Sequence, residues 1–276
     1  MKKIDVPIIV TIAGSDSSGG AGIQADIKTI SALGGYAASV ITAITAQNTQ
    51  GVQAIEPVSP DFILQQMESV FSDLSVAAVK IGMLHDEAVI AALAHGLQTF
   101  KPEKVVLDPV MVAKSGHALL QPTTLESLKK KLFPQVSLLT PNIPEAEKLL
   151  NKSIRTSDEQ EQAAREAGQL FQTNVLLKGG HFTGDKSSDV LYLIEDARLV
   201  WFHADRVETG NTHGTGCTLS SAIATYLGRG FSLNEAVSLA KNYLTHALLS
   251  SKHQTIGKGS GPVDHFYFLR EQHNDF

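Results

Sequence analysis

Short apolar runs of strand length recur along the chain between segments in which apolar residues follow a helical period. The runs span residues 8–14, 39–46, 77–82, 104–108, 137–142 and 174–180. They are continuous rather than alternating, which is typical of strands buried on both faces of a parallel sheet. The alternation of strands and helices from one end of the chain to the other therefore predicts an α/β fold, a doubly wound sheet with helices on both faces.

Three helix starts are also readable in the pattern. Ser59 precedes Pro60, the usual order of a cap residue and a proline in the first helical turn. The S-x-x-E/Q pattern at 157–160 and at 232–235 predicts two capping boxes. In the helix that follows the second box, apolar residues share one face: Leu233, Ala236, Val237, Ala240, Leu244, Ala247 and Leu248.

A departure from the parallel pattern is predicted late in the chain. The runs 190–194 and 199–202, joined by 195–198, have the form of an antiparallel pair. No internal repeat, low-complexity stretch or Pro/Ser-rich linker interrupts the sequence, so we predict one domain over residues 1–276. Ligands of doubly wound sheets bind beyond the carboxyl ends of the strands, and we expect the chemistry there.

Composition narrows the class of protein. Of the 276 residues, 43% are hydrophobic and 18% charged, which fits a soluble globular chain. The net charge is −5 and no basic patch is visible, so we expect no nucleic-acid partner. The one Cys excludes an intrachain disulfide and a zinc site of several thiolates. The first apolar run, 6–13, is too short to span a membrane and leads into Gly and Ser without a cleavage site, so we expect a cytoplasmic protein with no membrane partner.

A glycine-rich turn at 13–26 follows the first predicted strand. Its Gly20-Ala-Gly22-x-x-Ala25 segment matches a loose dinucleotide-binding fingerprint. That interpretation needs an acidic residue at the end of the next strand, but the second strand ends in Ala-Gln-Asn at 46–48. A dehydrogenase is therefore disfavoured. The chain also has no G-x-x-x-x-G-K-[ST] motif, which excludes a P-loop NTPase.

A second glycine turn, 210–217, opens a predicted helix over 218–227. Glycines directly before a helix let backbone N–H groups converge on an anion, and the helix dipole adds positive potential there. Cys217 is predicted in the first turn, where that potential lowers the pKa of a thiol. For an isolated cysteine, a small buried residue behind an ordinary turn is the commoner explanation. The two glycines that flank Thr215 favour an anion site instead.

Polar residues end several of the predicted strands: Asp108, Asn142 with Glu145 shortly after it, and Lys178. Asp108 and Glu145 offer the hard oxygen ligands that Mg²⁺ uses together with water and substrate phosphates. Lys178 supplies a mobile positive charge suited to a phosphate oxygen. With the anion-binding turn, this set fits phosphoryl transfer, and Cys217 is the titratable side chain present to act as its base.

The residues of eight segments resemble a known family: AGSDSSGGAGIQADIKT, ITAQNTQGV, KIGML, LDPVMVAKSG, LTPNIPEAE, LKGGH, NTHGTGCTLSSAIA and GKGSGPVDH. The resemblance is to the bacterial hydroxymethylpyrimidine/phosphomethylpyrimidine kinases of thiamine biosynthesis, in the ribokinase-like superfamily, and it runs from about residue 8 to 265. It implies a three-layer α/β/α sandwich with a mostly parallel central sheet. It also implies that ATP, with Mg²⁺, phosphorylates the hydroxymethyl oxygen of 4-amino-5-hydroxymethyl-2-methylpyrimidine and then the monophosphate.

The same resemblance implies roles at the catalytic end of the site. Cys217 takes the position of the catalytic base, and Gly214 and Gly216 belong to the anion hole. Lys178 and Asn142 reach the nucleotide phosphates, and Thr215 belongs with this cofactor-binding group.

At the substrate end, the resemblance implies that Asp26, Gln47 and the backbone around Met83 contact the aminopyrimidine. A carboxamide suits that ring because it can donate to a ring nitrogen while it accepts from the exocyclic amine. Asp108 and Glu145 are implied as the metal ligands.

Alternatives stay open from the sequence alone. Kinases of pyridoxine or pyridoxal share the AGSDSSGGAGIQAD opening, whereas Gln47 and Thr215 match the pyrimidine kinases. Many pyrimidine kinases have Thr-Asp-Pro-Ser where this chain has Ser-Asp-Ser-Ser at 15–18, which leaves vitamin B6 activity open as a side reaction. A non-catalytic aminopyrimidine-binding protein is the third hypothesis, and the retained base, lysine and carboxylates argue against it.

Two further points rest on the resemblance and on loop composition. The resemblance and the antiparallel strands near 190–202 favour a homodimer. The sequence does not decide whether the Gly- and Ser-containing segments 113–118 and 183–188 close over a ligand.

Overall fold

The computed structural model describes residues 6–111, 122–182 and 184–271, and the segment 113–118 lies outside them. Within these residues one sheet has the strand order β3-β2-β1-β4-β5-β6-β7-β8-β9. Its strands are β1 Ile8–Asp16, β2 Tyr36–Asn48, β3 Gly51–Pro57, β4 Val76–Ile81, β5 Val105–Leu107, β6 Leu138–Leu139, β7 Asn174–Lys178, β8 Lys186–Leu193 and β9 Arg198–Asp205.

The centre of the sheet is parallel and its two edges are antiparallel. β1 pairs in parallel with β2 and β4, and parallel pairing continues through β5 and β6 to β7. β3 folds back on β2, while β8 and β9 run antiparallel to β7 and to each other. Because parallel strands carry their carboxyl ends to one edge, the loops that follow β1, β5, β6 and β7 meet there.

Helices cover both faces of the sheet. They are α1 Gly22–Ala32, α2 Pro60–Phe71, α3 Glu87–Phe100, α4 Pro122–Ser127, α5 Ile143–Leu150, α6 Ser157–Phe171, α7 Thr215–Gly228, α8 Leu233–Ser251 and α9 Tyr267–Glu271. A π-helical turn, Leu128–Leu132, and a 3₁₀ turn, Phe133–Gln135, continue α4. Among the residues that the structure describes, no helix is long and apolar enough to cross a membrane.

Two apolar cores confirm the sandwich. One core lies between the sheet and α2, α3, α5 and α6, and the other lies between the sheet and α1, α7 and α8. Successive residues of one strand enter different cores: Val105 and Leu107 pack in the first and Val106 in the second. This two-sided burial is the physical reason that the strand sequences are continuously apolar.

The predicted strands all form, with changes at their ends. β6 keeps only Leu138–Leu139 of the predicted run, because the chain leaves the sheet to begin α5 at Ile143. The hairpin of β8 and β9 is confirmed and is longer than predicted, so the segment from 186 to 188 belongs to a strand. The sequence pattern missed β3, an exposed edge strand with polar residues and a terminal proline.

The helix starts are confirmed in two cases and shifted in one. Ser59 caps α2 by accepting from the N–H of Phe62, and the capping box at 232–235 forms at α8. The box predicted at 157–160 is wrong by one residue, since Thr156 and Glu159 form it at α6. On α8 the predicted face is buried at Ala236, Val237, Ala240 and Ala247.

Candidate active site

A cavity of about 840 Å³ opens at the carboxyl edge of the sheet. The sequence-predicted site residues that line it are Gln47, Met83, Asp108, Asn142, Glu145, Lys178, Gly214, Thr215, Gly216 and Cys217. Asp26 is the predicted residue that does not line it. The fold therefore brings together residues that lie far apart in the chain, at the edge where ligands of such sheets bind.

The N-terminus of α7 forms one wall of the cavity. Gly214 is the N-cap residue with φ 80°, and no side chain of the described residues caps this helix end. A Cβ at Gly214 would lie 1.8 Å from the carbonyl oxygen of Gly20, so no other residue fits this close approach. The uncapped N–H groups and the helix dipole make this wall suited to an anion.

Cys217 lies in the first turn of α7, as predicted, but its acidity is not as predicted. Burial raises the pKa of its thiol to about 11, and the opposing effects of the Lys80 charge and of the Gly22 N–H group do not offset it. Asp26 and Asp108 add to the upward shift. The expected lowering by the helix N-terminus is therefore wrong, and Cys217 is a thiol at neutral pH.

Lys178 and Asp108 form an ion pair beside the start of α7. Lys178 Nζ donates to Asp108 Oδ1 at 2.8 Å, and Thr140 Oγ1 donates to the same oxygen at 3.1 Å. A Cβ built on Gly216 would lie 3.0 Å from Asp108 Oδ2 and 3.7 Å from Lys178 Nζ. Burial lowers the pKa of Lys178, but the charges of Asp108 and Glu145 outweigh this and raise it, so the side chain is an ammonium.

Asn142 and Glu145 are joined in the capping box of α5. Asn142 Oδ1 accepts from the N–H of Glu145 at 2.9 Å, and Glu145 Oε2 accepts from the N–H of Asn142 at 2.8 Å. The amide Nδ2 of Asn142 is the atom left to reach a ligand. Burial raises the pKa of Glu145 to about 7, the Asp108 charge adds to the rise, and Lys178 opposes it.

Another part of the cavity lining comes from β2 and from the turn after β1. Ser17 holds the backbone of Gln47 at both groups, donating to its carbonyl at 2.7 Å and accepting from its N–H at 2.8 Å. The carbonyl of Met83 accepts from Thr42 Oγ1 at 2.9 Å. Gln47 and Met83 therefore line the same cavity as the anion-binding wall.

Asp26 is placed behind this site rather than in it. Its side chain is fully buried, and its two oxygens accept from Lys80 Nζ at 2.9 and 2.8 Å. Thr11 and Ser221 donate to the same carboxylate at 2.6 and 2.7 Å. Because these protein donors occupy both oxygens, this geometry does not support the expected contact between Asp26 and a substrate.

The sequence analysis missed the pair of Asp16 and His213. His213 Nε2 lies 2.7 Å from Asp16 Oδ2, and both residues line the cavity. Burial alone would raise the pKa of Asp16, but hydrogen bonds from His213 and Ser18 lower it to about 2. Both residues lie within the glycine-rich motifs, so the motifs located them without indicating that they meet.

The α/β sandwich, the anion-binding helix start, and the facing lysine and carboxylates define a class of protein, the small-molecule kinases of the ribokinase-like fold. The chain belongs to the phosphomethylpyrimidine kinase family, whose family model matches residues 16–264.

Curated relatives agree with this assignment. A hydroxymethylpyrimidine/phosphomethylpyrimidine kinase of Rhizobium meliloti is 52% identical over 94% of this chain and 97% of its own length. The enzyme of the same description from Escherichia coli is 47% identical over 97% of this chain and 99% of its own length. The thiamine biosynthesis bifunctional protein ThiED of Geobacter sulfurreducens is 49% identical over 93% of this chain, which spans 52% of that longer protein.

Similar solved structures include a phosphomethylpyrimidine kinase and a pyridoxal kinase. The phosphomethylpyrimidine kinase of Clostridium difficile 630 is 44% identical, with a TM-score of 0.77 over 88% of this chain and 100% of that chain. The pyridoxal kinase of Bacillus subtilis, solved as an ADP complex, is 33% identical, with a TM-score of 0.87 over 96% of this chain and 99% of that chain.

Proposed function

We propose that this protein transfers the γ-phosphoryl group of ATP to the hydroxymethyl oxygen of 4-amino-5-hydroxymethyl-2-methylpyrimidine, and then a second phosphoryl group to the monophosphate. Family membership and relatives of this description at about half identity support the proposal. The observation that carries it is one cavity lined both by an amide and a methionine suited to a heteroaromatic ring and by an anion-binding wall with a lysine. Its volume of about 840 Å³ lies in the range of small-molecule sites.

The chain's own residues supply the parts that phosphoryl transfer needs. The N–H groups at the start of α7 and the Lys178 ammonium stabilise the charge on the transferred group. The bond between phosphorus and the leaving oxygen of ADP breaks as the bond from the hydroxymethyl oxygen forms. The hydroxyl proton passes to the Cys217 thiolate, which forms when the thiol releases its own proton to solvent. Because its thiol has a pKa of about 11, that thiolate is a strong base once formed, although it is scarce in the ligand-free protein.

The residues present fit a magnesium ion. Asp108 and Glu145 are buried carboxylates that line the same cavity, and burial together with the Asp108 charge raises the pKa of Glu145, so a bound cation would favour its ionised form. Two carboxylates suffice when phosphate oxygens and water complete the ligands. When bound there, Mg²⁺ would neutralise charge on the nucleotide phosphates.

Asn142 and Lys178 would contact the nucleotide phosphates, with Thr215 at the adjacent helix start. From Lys178 the cavity continues along α8, where Leu244, Thr245 and Leu248 line it. This apolar wall has the character that the base and ribose of ATP require.

A vitamin B6 kinase is the second candidate, and two observations favour it. The Bacillus subtilis pyridoxal kinase superposes at a TM-score of 0.87, and residues 15–18 are Ser-Asp-Ser-Ser. The greater identity to the pyrimidine kinase of known structure and the match at Gln47 make the pyrimidine the preferred substrate in our proposal.

A paired assay tests the function. The purified protein with ATP and Mg²⁺ is given the hydroxymethylpyrimidine, its monophosphate or pyridoxal, and ADP formation is followed. We expect turnover with both pyrimidines and a lower kcat/KM with pyridoxal. Turnover with pyridoxal alone would replace the proposal with the B6 kinase, and pyrimidine binding without ADP formation would leave a binding protein.

Three more parts of the proposal are testable by simple means. We propose a homodimer, which light scattering after gel filtration checks. We also propose a cytoplasmic location, which cell fractionation checks. The third proposal is one domain over residues 1–276, which predicts a single cooperative unfolding transition.

A further inference from the structure

His213 contacts both the turn after β1 and the side-chain amide of Gln47, the residue predicted to bind the substrate. Its Nε2 lies 2.7 Å from Asp16 Oδ2 and 3.4 Å from Nε2 of Gln47. On its other side, Gln47 Oε1 lies 3.2 Å from Thr45 Oγ1. The amide of Gln47 is thus held between a histidine and a threonine.

The proton on His213 follows from the chemistry of Asp16. Hydrogen bonds lower the pKa of Asp16 to about 2, so it is an ionised carboxylate and can only accept. His213 Nε2 must therefore carry the hydrogen of the 2.7 Å bond. The nearby Gln47 nitrogen is also a donor, and two donors do not bond to each other.

The same mismatch occurs at Thr45. The hydroxyl of Thr45 has one hydrogen, and it is donated to the carbonyl of Ser15 at 2.8 Å. Its oxygen is then an acceptor toward Gln47, but the amide oxygen that faces it is an acceptor as well. A rotation of the Gln47 amide by 180° removes both mismatches: the nitrogen donates to Thr45, and the oxygen becomes a second, more distant acceptor for the one His213 Nε2 hydrogen, which Asp16 also accepts.

The position of His213 is fixed by close packing of backbone. A Cβ at Gly20 would lie 2.4 Å from His213 Cδ2, so the glycine makes room for the imidazole. The N–H of His213 donates to the carbonyl of Gly261 at 3.0 Å, and His213 pairs with Pro262 in a bridge.

The same C-terminal segment reaches the turn that follows Gln47. The N–H groups of Lys258 and Gly259 donate to Thr49 Oγ1, each at 3.1 Å, and that of Ser260 donates to the Thr49 carbonyl at 2.9 Å. The GKGSGPVDH motif, to which the sequence assigns no function, therefore ties the His213 loop to the Gln47 turn.

We propose that His213 is a positioning residue for substrate recognition, because its N–H, bonded mainly to Asp16, also faces the Gln47 amide oxygen as a donor and so fixes the donor–acceptor order presented to the aminopyrimidine. The inference rests on the proposed function, in which Gln47 contacts the ring. An amide held in advance spares the ligand the cost of ordering it, so the effect falls on substrate affinity more than on the chemical step.

Three variants test this role. His213→Phe keeps a ring of similar size against Gly20 but has no donor, and His213→Gln returns an N–H of similar reach. Gln47→Leu removes the amide on which His213 is proposed to act. We measure kcat and KM for the hydroxymethylpyrimidine, its Kd by calorimetry, and the melting temperature of each protein.

We expect His213→Phe to raise KM and Kd by about 3- to 10-fold, the cost of ordering one freed side chain, with a smaller change in kcat. His213→Gln recovers most of the loss. In the Gln47→Leu background the same His213→Phe change has almost no effect, because coupled residues are not additive. Additive losses, or an unchanged Kd in His213→Phe, overturn the inference.

Failure of the function is separable from failure of the inference. If the unsubstituted protein binds the pyrimidine but forms no ADP, the kinase proposal fails, and the Kd values still decide the role of His213. If it does not bind the pyrimidine at all, both proposals are overturned. A fall in melting temperature with Kd unchanged shows a merely structural histidine.

Discussion

Two buried Asp–Lys pairs contact or face the first turns of α7, and they differ in what surrounds them. Lys80 and Asp26 are both fully buried, and Ser221 of α7 donates to Asp26 one turn after Cys217. Lys178 and Asp108 lie beside Gly216, and both line the cavity. The lysine in each pair comes from a strand of the parallel sheet, β4 in one and β7 in the other.

The two pairs differ in which carboxylate oxygens already accept hydrogen bonds. Both oxygens of Asp26 are occupied by protein donors, so its charge is satisfied inside the fold. In Asp108 the side-chain donors given above both meet Oδ1, and Oδ2 points toward Gly216. The same two residue types therefore stabilise the fold in one place and leave charge available for chemistry in the other.

The largest effect is expected from Lys178→Met. Loss of a cation that stabilises the transferred phosphoryl group should lower kcat by about 10³- to 10⁵-fold. Its effect on the free energy of unfolding should be smaller than that of Lys80→Met, because the pair opens on the cavity and water can solvate Asp108. Steady-state kinetics and urea unfolding measure both. Near-normal kcat would mean that Lys178 is no more than a partner for Asp108.

The reverse result is expected for Lys80→Met. Removing one partner of a buried pair leaves an uncompensated charge and should cost about 3–5 kcal/mol of unfolding free energy. The double variant Lys80→Met, Asp26→Leu is the matched control, since it removes both charges and should recover most of that stability. If the double variant unfolds normally but has lost the pyrimidine affinity, Asp26 contacts the substrate after all.

The two pairs also differ in how far the sequence could predict them. Asp108 and Lys178 follow apolar runs, and parallel topology sends the ends of such runs to one edge, so their meeting was predictable. Lys80 lies inside an apolar run, and its partner is 54 positions away on α1. Nothing local indicates that pairing, and the resemblance gave Asp26 a different role.

The same contrast holds for the fold. Continuous apolar runs identified the buried strands because two-sided burial demands them. β3, whose residues are partly exposed, has no such requirement and was missed. At α6 the box predicted at 157–160 forms one residue earlier, with Thr156 as the cap, because local pattern does not distinguish adjacent hydroxyl residues. The contact of His213 with Asp16 joins residues 197 positions apart, beyond any local signal.

Charges from both pairs act on the thiol of Cys217, and the pKa of this thiol can be measured. Its thiol is protonated below a pKa of about 11, so the thiolate fraction should rise tenfold per pH unit through neutral and mildly alkaline pH. Because the chain has one Cys, iodoacetamide alkylation reports this group alone. We expect the alkylation rate of the ligand-free protein to climb from pH 7 to 9 without a plateau. A plateau below pH 8 would show that the helix N-terminus outweighs burial.

The base role of Cys217 needs its own variant. Cys217→Ala should keep the melting temperature and substrate affinity while it lowers kcat by about 10²- to 10⁴-fold, the usual contribution of a positioned base. Cys217→Ser, which keeps a smaller and weaker acid–base group, is the comparison. Near-normal kcat in Cys217→Ala would assign catalysis to the anion-binding wall and leave the thiol as a packing residue.

The smallest effects come from the hydroxyls that support each carboxylate, and they sharpen the comparison most directly. Ser221 donates to Asp26 at 2.7 Å, and Thr140 donates to Asp108 at 3.1 Å. Ser221→Ala should cost about 1.5–3 kcal/mol of unfolding free energy, the value of a hydrogen bond to a charged group, with little change in kcat. Thr140→Val should cost less stability, because its bond is longer, but should lower kcat by freeing Asp108 and so misplacing Lys178. Urea unfolding and steady-state kinetics give an unfolding free energy and a kcat for each of the two variants. If both variants lose only stability, the Asp108–Lys178 pair is structural like its neighbour, and the distinction between the two pairs does not hold.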